Sequence, residues 1–162
     1  MQSEPVVDAE ALRRKAIALL ARRDRSRSEM QQFLDRRCPD SALVAAVLDE
    51  LQARGWLSEG RLAAQLVHSQ RSRAGAARIR REMSRRGIDP DVIAEASAGL
   101  ETGDRAAALA LWRRRFGTVA ADRRQRERQL RFLLQRGFGP GLALEVLQIA
   151  AREEGDSAMS TD

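Results

Sequence analysis

The chain has no tyrosine, one cysteine (Cys38), one histidine (His68), one lysine (Lys15) and four prolines in 162 residues, and aromatic side chains make up 4% of it. Each scarcity closes off a class of protein. A single cysteine provides neither a disulfide framework nor a thiolate metal cluster, and a reducing cytoplasm fits. A single histidine, with no cysteine or second histidine near it in sequence, leaves no zinc-site spacing and no Ser/His/Asp set to nominate. No catalytic residue, cofactor site or metal ligand is therefore expected. The longest apolar runs are a few residues, as in AIALLA over 16–21, too short to span a membrane. The N-terminus MQSEPVVDAE is acidic and lacks the basic and apolar regions of a secretory signal. Long alternating β-branched runs are missing too, which removes the pattern of a sheet.

What is abundant is Ala, Leu, Arg, Glu and Gln, all good helix formers. Hydrophobic residues make up 43% of the chain, enough for a core, and charged residues 32%, with a formal net charge of +6. Apolar residues recur at three and four, as in Leu12, Ala16, Leu19 and Leu20, or Val44, Val47, Leu48 and Leu51, the period of amphipathic helices. The predicted fold class is all-α.

The chain also repeats itself. FLDRRCPDSALVAAVLDEL from Phe33, EMSRRGIDPDVIAEASAGL from Glu82 and FLLQRGFGPGLALEVLQIA from Phe132 align without gaps, at spacings of 49 and 50 residues. Arg37, Arg86 and Arg136 coincide, and prolines fall at the same corner in each: Pro39, Pro90 and Pro140. Pro90 and Pro140 suit the first turn of a helix. Gly87 and Gly137 suit the position after a helix end, where a positive φ is needed. The alignment makes Phe138, Ile88 and Pro39 equivalent packing positions at a helix-to-helix corner. Each repeat has a further helix ahead of it: about 8–23, then 58–73 with Leu62, Leu66 and Val67 inward, then 104–116 with Leu109, Trp112 and Phe116 inward. Ser28 is the expected N-cap of the helix carrying Met30, Phe33 and Leu34, and Gly55 and Gly103 close the first two repeats. The reading is three tandem three-helix, helix-turn-helix-like repeats in an extended array, covering 8–54, 57–101 and 104–151, between a disordered N-terminus (1–7) and a disordered acidic tail (152–162). Extended arrays commonly lie along a large partner.

Charge is concentrated. Residues 71–136 hold 17 arginines and 8 acids, a net of +9, whereas the rest of the chain nets −3. Ile79 and Met83 share an inward stripe with Ala76, which places Arg78, Arg81 and Arg85 on one outward face. Inward Leu130, Leu133 and Leu134 place Arg124, Arg128 and Arg131 on another. Arg113, Arg114 and Arg115 end the preceding helix, where they also complement its dipole. These stripes are either solvated faces or a surface for a polyanion, since arginine matches phosphate and carboxylate bidentately. About five phosphate contacts to a single strand would give a log–log salt slope near −3.5. Gly137, Gly139 and Gly141 do not form a nucleotide loop. No strand precedes them, no Lys-Ser/Thr follows, and Pro140 removes an N–H. Trp56 and Trp112 are expected in the core.

Several stretches together resemble the RecX family, regulators of the RecA recombinase, over roughly residues 10–150. They are Gly55-Trp56-Leu57 with Ala63 following, RSRAGAARIRREMSRRGI from Arg71, RRFG from Arg114, and RERQLRFLLQRGF from Arg126 followed by Val146-Leu147. The family is organised as tandem three-helix repeats. The resemblance implies a cytoplasmic, non-enzymatic modulator that lies in the groove of the RecA–single-stranded-DNA filament. There it limits filament extension, ATP hydrolysis, strand exchange and co-protease activity. It implies no cofactor, and as partners the recombinase filament and single-stranded DNA, with double-stranded DNA open; a monomer is expected. The candidate residues for contact with DNA or recombinase are Arg71, Arg73, Arg78, Arg81, Arg85, Arg113, Arg114, Arg124, Arg128, Arg131 and Arg136. Three positions depart from the family pattern: Ala76 replaces an aromatic, Ser58-Glu59 replaces an Asp-Asp pair, and the aromatic usual near Leu62 is missing. The alternative reading is a helix-turn-helix transcription regulator using residues 26–57. Residues 42–51 are, however, more apolar than a base-reading helix should be.

Overall fold

The computed structural model describes residues 8–159; the expected unstructured segments at 1–7 and 160–162 lie outside the described residues. Among the described residues there are nine α-helices and no strand: α1 (Ala9–Leu20), α2 (Arg27–Asp35), α3 (Ser41–Ala53), α4 (Glu59–Gln70), α5 (Ala76–Arg85), α6 (Pro90–Ser97), α7 (Asp104–Arg115), α8 (Arg123–Gln135) and α9 (Pro140–Met159), with a 3-10 turn at Leu100–Gly103. This is three helices for each repeat. The starts are set by local chemistry. The Asp8, Asp40 and Asp122 side chains accept from the first free N–H groups of α1, α3 and α8, and Pro90 and Pro140 open α6 and α9 as expected. The N-cap of α2 is Ser26 and not Ser28. Ser26 and Glu29 form a reciprocal capping box, which satisfies two orphan donors at once.

The chain divides into two compact units. The first holds 8–65 and 83–96 of the described residues. Its core is Leu12 and Ala16 of α1, Met30 and Leu34 of α2, Val44, Val47, Leu48 and Leu51 of α3, with Cys38 and Leu57. Truncating one of these leucines to alanine costs about 2–5 kcal/mol. The second holds 66–82 and 97–159, around Ala108, Leu111 and Trp112 of α7, Leu133 of α8, Phe138, and Ala143, Val146, Leu147 and Ala150 of α9. The middle repeat is thus shared out between the two.

Each unit contains a joint between neighbouring repeats. In the first, the Ser26 hydroxyl donates to the Arg86 carbonyl at 2.5 Å. Gly87 follows with φ +69°, and a Cβ there would stand 2.8 Å from the Ser28 Cβ. Glu59, at one of the departing positions, accepts from Arg27 N–H at 2.7 Å and Asp89 N–H at 2.8 Å, so one carboxylate holds the starts of α2 and α6. In the second unit, the Gly75 N–H donates to the Arg136 carbonyl at 2.9 Å. Gly137 has φ +87°, and a Cβ there would collide with Arg78. A Cβ on Gly75 would lie 2.6 Å from the Gly137 carbonyl oxygen. The Arg-Gly corner therefore does two jobs, ending a helix and receiving the next repeat.

The structure corrects five further expectations. The buried residue at the first corner is Cys38, while Pro39 is exposed; Ile88 and Phe138 are buried as expected. Arg36 ends α2 in right-handed helical geometry with no glycine after it, so the chain turns inward one residue earlier. The positive φ after α6 belongs to Gly99, not Gly103, because α6 stops at Ser97. Leu134 is 42% exposed; Leu133 and the partly buried Leu130 take the inward side. Trp56 is 40% exposed, with the Arg54 guanidinium 5.0 Å from its ring centre, because Leu57 fills the core instead. Finally, helix α9 continues through Met159, where a disordered tail was expected from 152. Arg113 pairs with Glu153 at 2.6 Å and Glu154 accepts the Val119 N–H at 2.7 Å, which ties the extension to α7 and the loop after it.

Candidate nucleic-acid interface

The expected arginines fall into three groups. Arg71 is partly buried and committed to structure. Its guanidinium pairs with Asp104 at 2.5 Å and donates to the Leu100 carbonyl. Both Asp104 oxygens also accept the Ala76 N–H at 3.2 Å. Arg71 therefore anchors the start of α5 rather than meeting a ligand.

Arg73, Arg78 and Arg136 are brought together. With Ser69, Gln70, Ala74 and Glu82 they line a cleft of about 450 Å³ in the second unit. Arg73 donates to the Ser69 carbonyl at 2.8 Å, Arg78 to the Gln135 carbonyl at 3.0 Å, and Arg136 to the Arg73 carbonyl at 3.4 Å. Arg136 also lies over the Phe132 ring, 5.1 Å from its centre. Phe132 is set in turn by an edge-on contact with Phe116 at 5.2 Å. Sequence reasoning missed Phe132 and the Gly75–Gly137 approach. The signal for the second lies upstream of the aligned blocks, where the same 49-residue offset sets Gly75 opposite Ser26.

The remaining residues stay on helix surfaces. On α8, residues 123–128 are all exposed. Arg124, Arg128 and Arg131 stand at i, i+4 and i+7, exposed, with no side-chain partner among the described residues. Arg123 pairs with Glu127, and Arg126 bonds the carbonyls of Ala120 and Ala121. Arg81 and Arg85 are exposed on α5. Arg113 is engaged by Glu153, and Arg114 reaches the Ser72 carbonyl at 3.5 Å. The open cationic groups are thus the α8 stripe, Arg81 and the cleft. Among the described residues no group of three or more His, Cys, Asp or Glu side chains could hold a metal ion, and no helix is long and apolar enough to cross a membrane.

The comparisons with known proteins match this architecture repeat by repeat. Models of the first, second and third three-helix domains of RecX match residues 13–51, 58–96 and 103–147. The chain belongs to the RecX family. The Regulatory protein RecX of Leptothrix cholodnii is 43% identical over 143 residues, covering 88% of this chain and 91% of that one. That of Chromobacterium violaceum is 37% identical over 147 residues, covering 91% and 95%. The crystal structure of RecX from Lactobacillus salivarius superposes with a TM-score of 0.74 at 17% identity, over 89% of this chain and 97% of that one, which shows the fold. The third RecX model ends at 147, inside α9, so the extension to Met159 lies beyond the matched repeat. Within the first RecX repeat, α3 buries Val44, Val47, Leu48 and Leu51. Its outer face carries Ala42, Ala45, Ala46 and Asp49, which offers little to read base edges with.

Proposed function

We propose that this RecX-family chain is a non-enzymatic regulator of a RecA-type recombinase. It binds the recombinase–single-stranded-DNA filament as a monomer and limits its extension, ATP hydrolysis, strand exchange and co-protease activity. Family membership supports the regulatory role. The observation that carries a polyanionic partner is the α8 stripe: Arg124, Arg128 and Arg131 are exposed, aligned and without partners among the described residues. Like charges at this spacing weaken a helix slightly, a cost that bound phosphates offset. Arginines spent on structure, as Arg71 is on Asp104, carry no such implication.

The test is the single-strand-stimulated ATPase of the cognate recombinase, with this protein titrated from sub-stoichiometric to equimolar amounts. Inhibition is expected well below one protein per recombinase subunit. An ATPase unchanged at equimolar protein would end the inhibitor reading.

A further inference from the structure

The two joints share one plan, but the first is charge-neutral and the second cationic. Ser26 and Gly75 each stand directly before a helix, α2 and α5. Each donates to the carbonyl of an arginine, Arg86 or Arg136, that precedes a positive-φ glycine. Three residues beyond these donors stand Glu29 and Arg78. In the first joint Glu29 neutralises the corner arginine, with Arg86 Nε at 3.0 Å and Nη2 at 2.9 Å from its two oxygens. In the second joint the place of Glu29 is taken by a cation. Arg136 then has no carboxylate partner among the described residues; it rests on Phe132 and on the Arg73 carbonyl.

Three guanidiniums consequently line one cleft, with Glu82 the acid in its lining. Each is tied to a main-chain carbonyl, so little side-chain freedom is left to lose on binding, and each has further donors to offer. Neither Gly75 nor Gly137 can accept a Cβ, so the approach of α5 to the corner, and with it the spacing of Arg78 from Arg136, is fixed by backbone contact. We propose that the second joint is a binding site for one phosphodiester group of a nucleic-acid strand, held by Arg73, Arg78 and Arg136, whereas the first joint is structural only. A protein carboxylate fits less well. In the first joint one guanidinium satisfies a whole planar carboxylate through both of its oxygens, whereas the tetrahedrally arranged oxygens of a phosphodiester can take donors from several directions at once. The inference rests on the reading of the chain as one that meets single-stranded DNA, and gives one phosphate its place.

Arg78→Glu puts the acid of the first joint into the second. The variant is expected to keep its far-UV circular dichroism and to melt at or above the wild-type temperature, through a new pair with Arg136. Its affinity for a fluorescent oligothymidylate, read by anisotropy, should fall about tenfold or more, and the log–log salt slope should become shallower by about 0.7. Arg136→Gln, which keeps the main-chain joint, should weaken binding in the same sense if Arg78→Glu folds poorly. Wild-type affinity and slope in both variants, beside weakened binding by Arg124→Glu/Arg128→Glu/Arg131→Glu, would overturn the site and leave the nucleic-acid reading standing. Loss of recombinase inhibition in Arg78→Glu with strand binding unchanged would also overturn it, in favour of a protein carboxylate. A wild-type protein that binds no strand would remove both.

Discussion

Glu29 shows how much one side chain decides here. Burial alone would push its carboxyl up. The hydrogen bonds from Arg86 and the Ser26 N–H, with the charges of Arg86 and Arg25, outweigh that and hold it below the usual carboxylate range. A depressed folded-state pKa contributes stability that is fully present above the unfolded value, about 4.3 for glutamate, and is lost as pH falls through the folded value. Urea unfolding should therefore show the chain losing stability below about pH 4, with part of that loss absent in Glu29→Gln. At pH 7 the same substitution should destabilise by about 1–3 kcal/mol, because Arg86 is left without its charged acceptor. Equal acid limbs in the two proteins would mean that the pair contributes nothing to folding. The inversion from Glu29 to Arg78 was in plain view in the sequence. It acquired meaning only once the joint showed which residues occupy equivalent places, since the gap-free alignment began at Phe33 and Glu82, downstream of both.

The helices themselves were easier to foresee. Apolar stripes at three and four and prolines at two of the corners placed the helix cores correctly, because local period and backbone chemistry dictate them. The errors cluster where two local solutions compete. Ser26 and Ser28 are both fair caps, and Glu29, three residues after Ser26, settles it by closing a capping box. Cys38 and Pro39 differ by one residue at a corner that lacks the αL glycine of the other two. The extension of α9 escaped notice because EEGDSAMSTD looks like a tail by composition, whereas Glu153 and Glu154 are held by partners distant in sequence. Stopping the chain after Ala151 tests this. It removes the Arg113–Glu153 pair and the Glu154 contact to Val119, both at exposed groups, so the loss of stability should be at most about 1 kcal/mol. The ellipticity per molecule should nevertheless drop, because 152–159 are helical. Ellipticity per molecule unchanged by the truncation would return those residues to the unstructured reading.

Across the full chain, charge rather than shape separates the repeats. The net of +9 over 71–136 against −3 elsewhere was read directly from the sequence. Which arginines are open was not, because ion pairing is set by tertiary contacts: Arg71, Arg86 and Arg113 look like any others in the sequence and are each taken up by an acid. Removing such engaged groups leaves Arg124, Arg128 and Arg131 of α8 and Arg81 of α5, each placed to meet its own phosphate, and Arg73, Arg78 and Arg136 of the cleft, which share one. Five contacts to a single strand correspond to a log–log salt slope near −3.5. Arg124→Glu/Arg128→Glu/Arg131→Glu should then reduce its magnitude by about 2, with helicity intact, since all three side chains are exposed. The same variant should inhibit the recombinase ATPase less well at physiological salt, because three phosphate contacts are lost. A slope that survives the triple reversal would mean that α8 is merely solvated, and that any strand binding runs through the cleft and α5 alone.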